Sequence, residues 1–154
     1  MFITSRYYFF RLCSVIFFCI LLLLTYQKLF ALPIKTEILN TKEESIGIAD
    51  VYIDYIELKE TNGIPKGRLG FANIKGGFQI FVVRDDGEQK LVGSAKNRSL
   101  YDKKENLIGH YDWTTFWSYV YSPSGKKLGK AKCIAFRGIC AAGIASFLTG
   151  LLDD

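Results

Sequence analysis

Histidine is almost missing from this sequence, in which His110 is the only one among 154 residues. Catalytic Ser-His-Asp and Cys-His systems, and metal sites with several histidines, would all depend on this single residue. Asp112 follows two positions later on a probable strand, where the two side chains are interpreted as a solvent-facing polar pair. The sequence also has no G-x-G-x-x-G motif after a strand and no Walker-type loop. We therefore expect no catalytic residue, no cofactor and no metal, and a protein that is not an enzyme.

Cysteine is scarce after the first 31 residues, where only Cys133 and Cys140 remain. In an exported chain a disulfide between them is plausible chemistry. The two side chains would face each other across a tight hairpin centred on Phe136 and Arg137, whereas a continuous helix would hold them about 10 Å apart. The sequence leaves the bonded and the free state open.

Acidic residues are absent from residues 1–31. Arg6 and Arg11 precede Leu12 to Leu24, a run of thirteen residues without a charge. A basic region followed by an apolar core of this length is typical of a secretory signal, and it is short for the roughly 20 residues of a spanning helix. Cleavage after Ala31 would release the chain, and without cleavage the segment would anchor it. Both outcomes predict a domain outside the cytoplasm, either exported (periplasmic or extracellular) or anchored in the membrane.

The excess of positive charge is small once the leader is set aside. Of the net charge of +5, three charges belong to residues 1–31, and 17 basic and 15 acidic side chains remain. Lys126, Lys127, Lys130 and Lys132 form a cluster that is typical of an exposed strand face. We expect no nucleic acid partner, and a partner that is an unidentified protein or envelope component.

Long helical patterns are missing after residue 50. Turn residues such as Asn62-Gly63, Asp86-Gly87 and Ser122-Pro123-Ser124-Gly125 recur every 8 to 12 residues or so. The segments between them are rich in Val, Ile, Tyr and Phe, which favour strands. This pattern predicts an all-β meander of about eight short strands. Residues 32–49 show no sustained period and are interpreted as a linker that ends at most in a short strand.

Four segments share the pattern apolar-Gly-x-Ala/Tyr, with their glycines at Gly70, Gly93, Gly109 and Gly129. Their spacing corresponds to about one two-stranded hairpin per unit. The strand period of 2 places each glycine and the second residue after it on one face. Because glycine weakens a strand unless a close neighbour requires it, the four hairpins are predicted to converge on a crowded centre.

The segments Tyr101 to Tyr111 and Tyr121 to Gly129 carry an aromatic residue, a polar turn and a hydrophobic-Gly step. This pattern resembles the units of the four-fold β-flower domains and, more distantly, of WG-type and MORN-type repeats. The resemblance extends over about residues 50 to 135. It implies a fold of four hairpin-like repeats and no catalytic residue, because the β-flower families have no settled activity.

Charged residues are missing from Ile139 to Leu152, which precede Asp153-Asp154. This stretch is too short to span a bilayer as a helix. We predict that residues 139–154 close the β-repeat domain by packing in its core as a helix or a strand. Contact with a membrane interface and an oligomer interface are the alternatives.

The aromatic residues near the end of the repeat region have two interpretations. They either pack in the core or form a stacking platform for sugar rings or bases, and core packing is the commoner use. The residues concerned are Trp113, Phe116, Trp117, Tyr119 and Tyr121.

Taken together, the patterns divide the chain into a leader at 1–31, a linker at 32–49, a β-repeat domain at 50–138 and a closing segment at 139–154. The predicted function is an interaction or structural module of the cell envelope. One alternative is a small hydrolase-like enzyme that uses His110. Another is a peripheral membrane binder that uses the apolar closing segment and the lysine-rich strand.

Overall fold

The computed structural model describes residues 32–152, and the predicted leader lies outside them. The chain from Pro33 onward is one compact unit. Its elements are β1 (Ile34–Asn40), β2 (Ser45–Val51), β3 (Tyr55–Lys59), β4 (Pro65–Ile74), β5 (Gly77–Val83), β6 (Gln89–Lys96), β7 (Ser99–Asp102), β8 (Leu107–Trp113), β9 (Trp117–Tyr121), β10 (Lys127–Lys132) and α1 (Arg137–Leu148).

The ten strands form a closed antiparallel barrel in which each strand pairs with its neighbours in sequence and β1 pairs with β10. The prediction of a mainly β fold is confirmed. The prediction of about eight strands in four hairpins is wrong, because there are ten strands in five hairpins. The additional hairpin is β1–β2, in residues that the sequence pattern assigned to a linker.

All five hairpins use the same turn. In the last of them, the backbone N–H of Ser122 donates to the carbonyl of Lys126 at 2.8 Å, and the N–H of Gly125 donates to the carbonyl of Ser122 at 2.9 Å. The fourth residue of each turn has a positive φ, which glycine adopts at least cost. These residues are Glu43, Gly63, Gly87, Glu105 and Gly125.

Each hairpin also has one extra residue in its second strand. In β10, for example, Lys127 pairs with Tyr121 and Gly129 pairs with Val120, so that Leu128 has no partner across the ladder. Such a bulge bends the strand and re-aims the residue that follows it. A glycine follows the bulge in all five hairpins, and these glycines are Gly47, Gly67, Gly93, Gly109 and Gly129.

The interior of the barrel is filled by α1 and the residues after it. Seven consecutive residues of this helix, from Cys140 to Ser146, are buried, whereas a helix on a surface keeps an exposed stripe. The helix packs against six of the ten strands, namely β2, β3 and β7 to β10. Within the predicted closing segment, the residues from Cys140 to Ser146 thus lie in the core. Within residues 32–152, no helix is long and apolar enough to cross a membrane.

Cys133 and Cys140 are bonded to each other, and their Cα atoms lie 5.9 Å apart. Cys133 follows β10, and Cys140 lies in the first turn of α1. The chain reverses between them at Phe136, where φ is 46°. The connection is therefore neither a hairpin nor a continuous helix, and the disulfide fastens the start of α1 to the end of the last strand.

Candidate functional site

His110 lies on the outer wall of the barrel, since its neighbours Gly109 and Tyr111 on β8 are buried. Its Nδ1 atom is 3.0 Å from Oγ of Ser99, which is opposite it on β7. Asp112 instead accepts a hydrogen bond from the guanidinium of Arg98 at 2.6 Å. The histidine and the carboxylate thus have different partners, and they do not form the serine, histidine and acid relay of a hydrolase.

The carboxylates of Asp102 and Asp86 stabilise turns. Oδ1 of Asp102 accepts the backbone N–H groups of Lys104 and Asn106, and its Oδ2 accepts the side-chain amide of Asn106 at 2.8 Å. These hydrogen bonds, above all those from Asn106, lower the pKa of Asp102. Asp86 accepts the N–H of Glu88 in the same way. In residues 32–152, no three His, Cys, Asp or Glu side chains are close enough together to hold a metal ion.

The interior of the barrel offers apolar contacts and little acid–base chemistry. Tyr111 is the largest polar side chain in the core cluster, and burial raises its pKa to about 12, although Arg98 opposes this change. A phenol with that pKa stays protonated throughout the physiological range. The side chains that solvent can reach are therefore those on the outside of the barrel.

The outer wall of β9 and β10 combines aromatic and basic side chains. On β9, Trp117, Tyr119 and Tyr121 are half-buried and alternate with two fully buried residues. On β10, the side chains of Lys127, Lys130 and Lys132 lie opposite Tyr121, Tyr119 and Trp117 respectively. We call these six residues the lysine–aromatic face.

Two of its lysines lie over aromatic rings. Nζ of Lys127 is 4.9 Å from the ring centre of Tyr119, and Nζ of Lys130 is 4.6 Å from that of Trp117. Lys130 also donates to Oε1 of Glu43 at 2.6 Å, and this hydrogen bond lowers the pKa of Glu43. Contacts of this kind orient long side chains that would otherwise sample many rotamers. The face is thus a partly ordered surface with positive charge above flat apolar rings.

Of the five aromatic residues that the sequence singled out, three belong to this face. Trp113 instead packs against the core and stacks on Tyr111, with 6.0 Å between ring centres. Phe116 is exposed at one end of the barrel. The period of 2 along β9 separates outward from inward positions, but only after the bounds of that strand are known.

The glycines of the predicted repeat have two locations. Gly93, Gly109 and Gly129 are buried and face α1 and the residues after it. Gly70 lies on the outer wall beside Val83, because the fully buried Leu69 takes the inward position. The expectation that all four share one crowded face therefore does not hold for Gly70.

The wall formed by β2, β3 and β4 carries charges of both signs that pair with each other. Lys59 donates to the buried Asp50 at 2.5 Å, and Arg68 donates to Glu57 at 2.7 Å. These hydrogen bonds raise the pKa of Lys59 and of Arg68. Oδ1 of Asp50 has no hydrogen-bond partner within the described part of the chain. This wall neutralises its own charges, which distinguishes it from the lysine–aromatic face.

No protein-family model, no curated protein and no solved structure matches this chain.

Proposed function

We propose that this chain is an exported or membrane-tethered interaction module without enzymatic activity, and that it binds an acidic envelope component through the lysine–aromatic face. The observation that carries the proposal is the contrast between the two sides of the barrel wall. The inside is filled by the chain's own helix, whereas the outside of β9 and β10 exposes ammonium groups beside aromatic rings.

The charges around this face favour an acidic partner. Lys130 is neutralised by Glu43, but Lys127 and Lys132 are exposed and extend the face in both directions along β10. The rings of Tyr119 and Tyr121 supply flat apolar area with a polar edge, which suits protein side chains and sugar rings. Opposite charges across such a surface raise the association rate and select partners.

A binding experiment with polyglutamate and an acidic polysaccharide tests this proposal. The variant Lys127→Glu with Tyr121→Ala changes the face, and Lys90→Glu with Tyr101→Ala makes the same two changes on another part of the wall. We expect the face variant to weaken binding by about tenfold or more, equivalent to about 1.4 kcal/mol. The control should bind like the parent. Equal losses in both variants, or no binding by the parent, would contradict the proposal.

The hydrolase alternative makes a different prediction for His110→Ala. Because the side chain lies on the outer wall with one hydrogen bond to Ser99, its removal should change the free energy of unfolding by about 1 kcal/mol or less. The parent should turn over none of a panel of ester, glycoside, peptide and phosphate substrates. Turnover that falls by about 10²–10⁴-fold in the variant, at an unchanged melting temperature, would establish the enzyme instead.

Membrane binding through the closing segment finds little support. The apolar side chains that it would need, from Cys140 to Ser146, are enclosed by the strands. Membrane contact through this segment would require the helix to leave the barrel and to expose its core.

A further inference from the structure

The two ends of the barrel differ in their connections. The five hairpin turns lie at one end, and the connections β2–β3, β4–β5, β6–β7 and β8–β9 lie at the other. The chain enters β1 and leaves β10 for α1 at this second end as well. We call it the connection end.

Exposed apolar side chains are concentrated at the connection end. It carries four of the seven large apolar side chains that are exposed within residues 33–152, and these four are between 37% and 58% exposed. They are Ile53, Phe116, Ile134 and Phe136. A group of this kind at one end of a domain marks a contact surface, because exposing such area to water is unfavourable.

The charged side chains at this end are mostly basic. Lys75, Lys132 and Arg137 are exposed there, against the exposed Asp54. Arg98 is also at this end, but it is paired with Asp112.

Basic and apolar side chains also meet in one groove that opens beside this end. Its volume is about 350 Å³, and its lining includes Ile34, Trp117 and Ile134 together with two basic residues, Lys35 and Lys132, and one acidic residue, Glu37. Apolar side chains with a basic margin suit the boundary between acyl chains and anionic headgroups of a lipid layer.

The sequence before the barrel leads to the same surface. Leu32 is the first described residue, and only residues 25–31 separate it from the apolar run Leu12 to Leu24. Seven residues span at most about 25 Å when fully extended. If the apolar run is held in a bilayer, residues 25–31 tether the barrel to that bilayer by its connection end.

We propose that the connection end rests on an anionic lipid membrane, with Phe116 and Ile134 in the interfacial layer and Lys75, Lys132 and Arg137 among the headgroups. The barrel axis is then roughly perpendicular to the plane of the membrane, and the five hairpin turns point away from the membrane. The two proposed surfaces share Lys132, but ligand binding is tested at Lys127 and Tyr121 and the membrane contact at Phe116 and Ile134, so either proposal can fail alone.

Tryptophan fluorescence provides a direct test, because the two tryptophans of the chain, Trp113 and Trp117, both lie next to the connection end. The full 154-residue chain is reconstituted in vesicles of an anionic phospholipid, either with brominated acyl chains or without bromine. Bromine on an acyl chain quenches a tryptophan only at short range. We expect lower emission in the brominated vesicles, and less quenching in vesicles of a neutral phospholipid.

The variant Phe116→Asp with Ile134→Asp should remove the quenching, while flotation shows that residues 1–31 still hold the chain on the vesicles. The control is Ile64→Asp with Leu107→Asp, which changes two exposed apolar side chains near the hairpin turns. It should be quenched like the parent.

Equal emission of the parent in both kinds of vesicle, or quenching that survives in the Phe116 and Ile134 variant, would overturn the proposal. Emission that changes with the ratio of protein to lipid but not with bromine would assign this end to a second copy of the chain and would also overturn it.

Discussion

The glycines that follow the bulges have no room for a side chain at several positions. A Cβ atom on Gly109 would lie 2.8 Å from Cγ2 of Thr149 and 2.9 Å from the carbonyl oxygen of Tyr121. At Gly129 it would meet the carbonyl oxygen of Leu39, and at Gly93 that of Tyr101. Backbone atoms cannot move aside as a flexible side chain can. These glycines are therefore required by the close approach of neighbouring chain segments.

This crowding predicts different effects for the same substitution. Gly93→Ala and Gly129→Ala should each lower the free energy of unfolding by about 1–3 kcal/mol through overpacking. Gly67→Ala is the matched control, since its Cβ would lie 3.7 Å from Leu152, an ordinary contact. It should stay within about 0.5 kcal/mol of the parent. Equal stability of all three variants in chemical denaturation would refute the close approach.

Only some of the five glycines that follow the bulges could be predicted from the sequence. Gly93, Gly109 and Gly129 were found because each precedes a small or aromatic residue at the expected spacing. Gly47 was missed although Ile46-Gly47-Ile48-Ala49 fits the pattern, because it lies in the stretch that was interpreted as a linker. Gly67 was missed because Gly70 lies in a better match to the pattern. A difference of three positions reverses the face in a strand, so a local motif alone could not decide between them.

Among the elements, the hairpin turns explain why two strands were missed. Glu43 and Glu105 have φ values of 66° and 63°, in positions where Gly63, Gly87 and Gly125 serve the other hairpins. The side chains of Asn40 and Asp102 support these turns by accepting backbone N–H groups. Hydrogen bonds of this type let a non-glycine residue occupy a strained conformation. Glycine and proline therefore mark neither of these two turns. The β7–β8 hairpin was predicted from its polar turn and its repeat, whereas β1–β2 lies in residues that were interpreted as a linker.

The disulfide is expected to stabilise the position of α1. It closes a loop in which the two cysteines are seven positions apart, and a loop of that size contributes about 2 kcal/mol by restricting the unfolded chain. Cys133→Ala with Cys140→Ala should lower the free energy of unfolding by about this amount. The parent in a reducing agent should show a similar loss. Unchanged stability in both measurements would contradict a bond between these sulfur atoms.

At the scale of the whole molecule, the disulfide between Cys133 and Cys140 depends on the predicted export of the domain. Disulfides persist outside the cytoplasm, where thiol reductants do not break them. Residues 1–40 fused to a reporter that is active only outside the cytoplasm should give activity, because Arg6 and Arg11 precede the apolar run. A matched fusion with Ile20→Arg and Leu22→Arg in this run should be inactive. A well-expressed but silent parent fusion would contradict export.

The lysine–aromatic face could be predicted from the sequence only in part. The lysines of β10 and the aromatic residues of β9 were each visible in the sequence, but their pairing depends on a register that the bulge at Leu128 shifts by one residue. The filling of the barrel by α1 likewise depends on contacts between distant parts of the chain. Composition indicated a buried closing segment, and the closed sheet shows that this segment fills the inside and that the outer wall stays accessible to solvent.

The chain fills its own barrel and is therefore expected to act through its outer surface. Native-state hydrogen exchange on the full chain tests this at the amides of α1. The amides from Cys140 to Ser146 should exchange only when the whole domain unfolds, as slowly as the slowest amides of β3 and β9. Rapid exchange along α1 while those strands stay protected would contradict a self-filled barrel, because the helix would then leave an interior that is open to ligands.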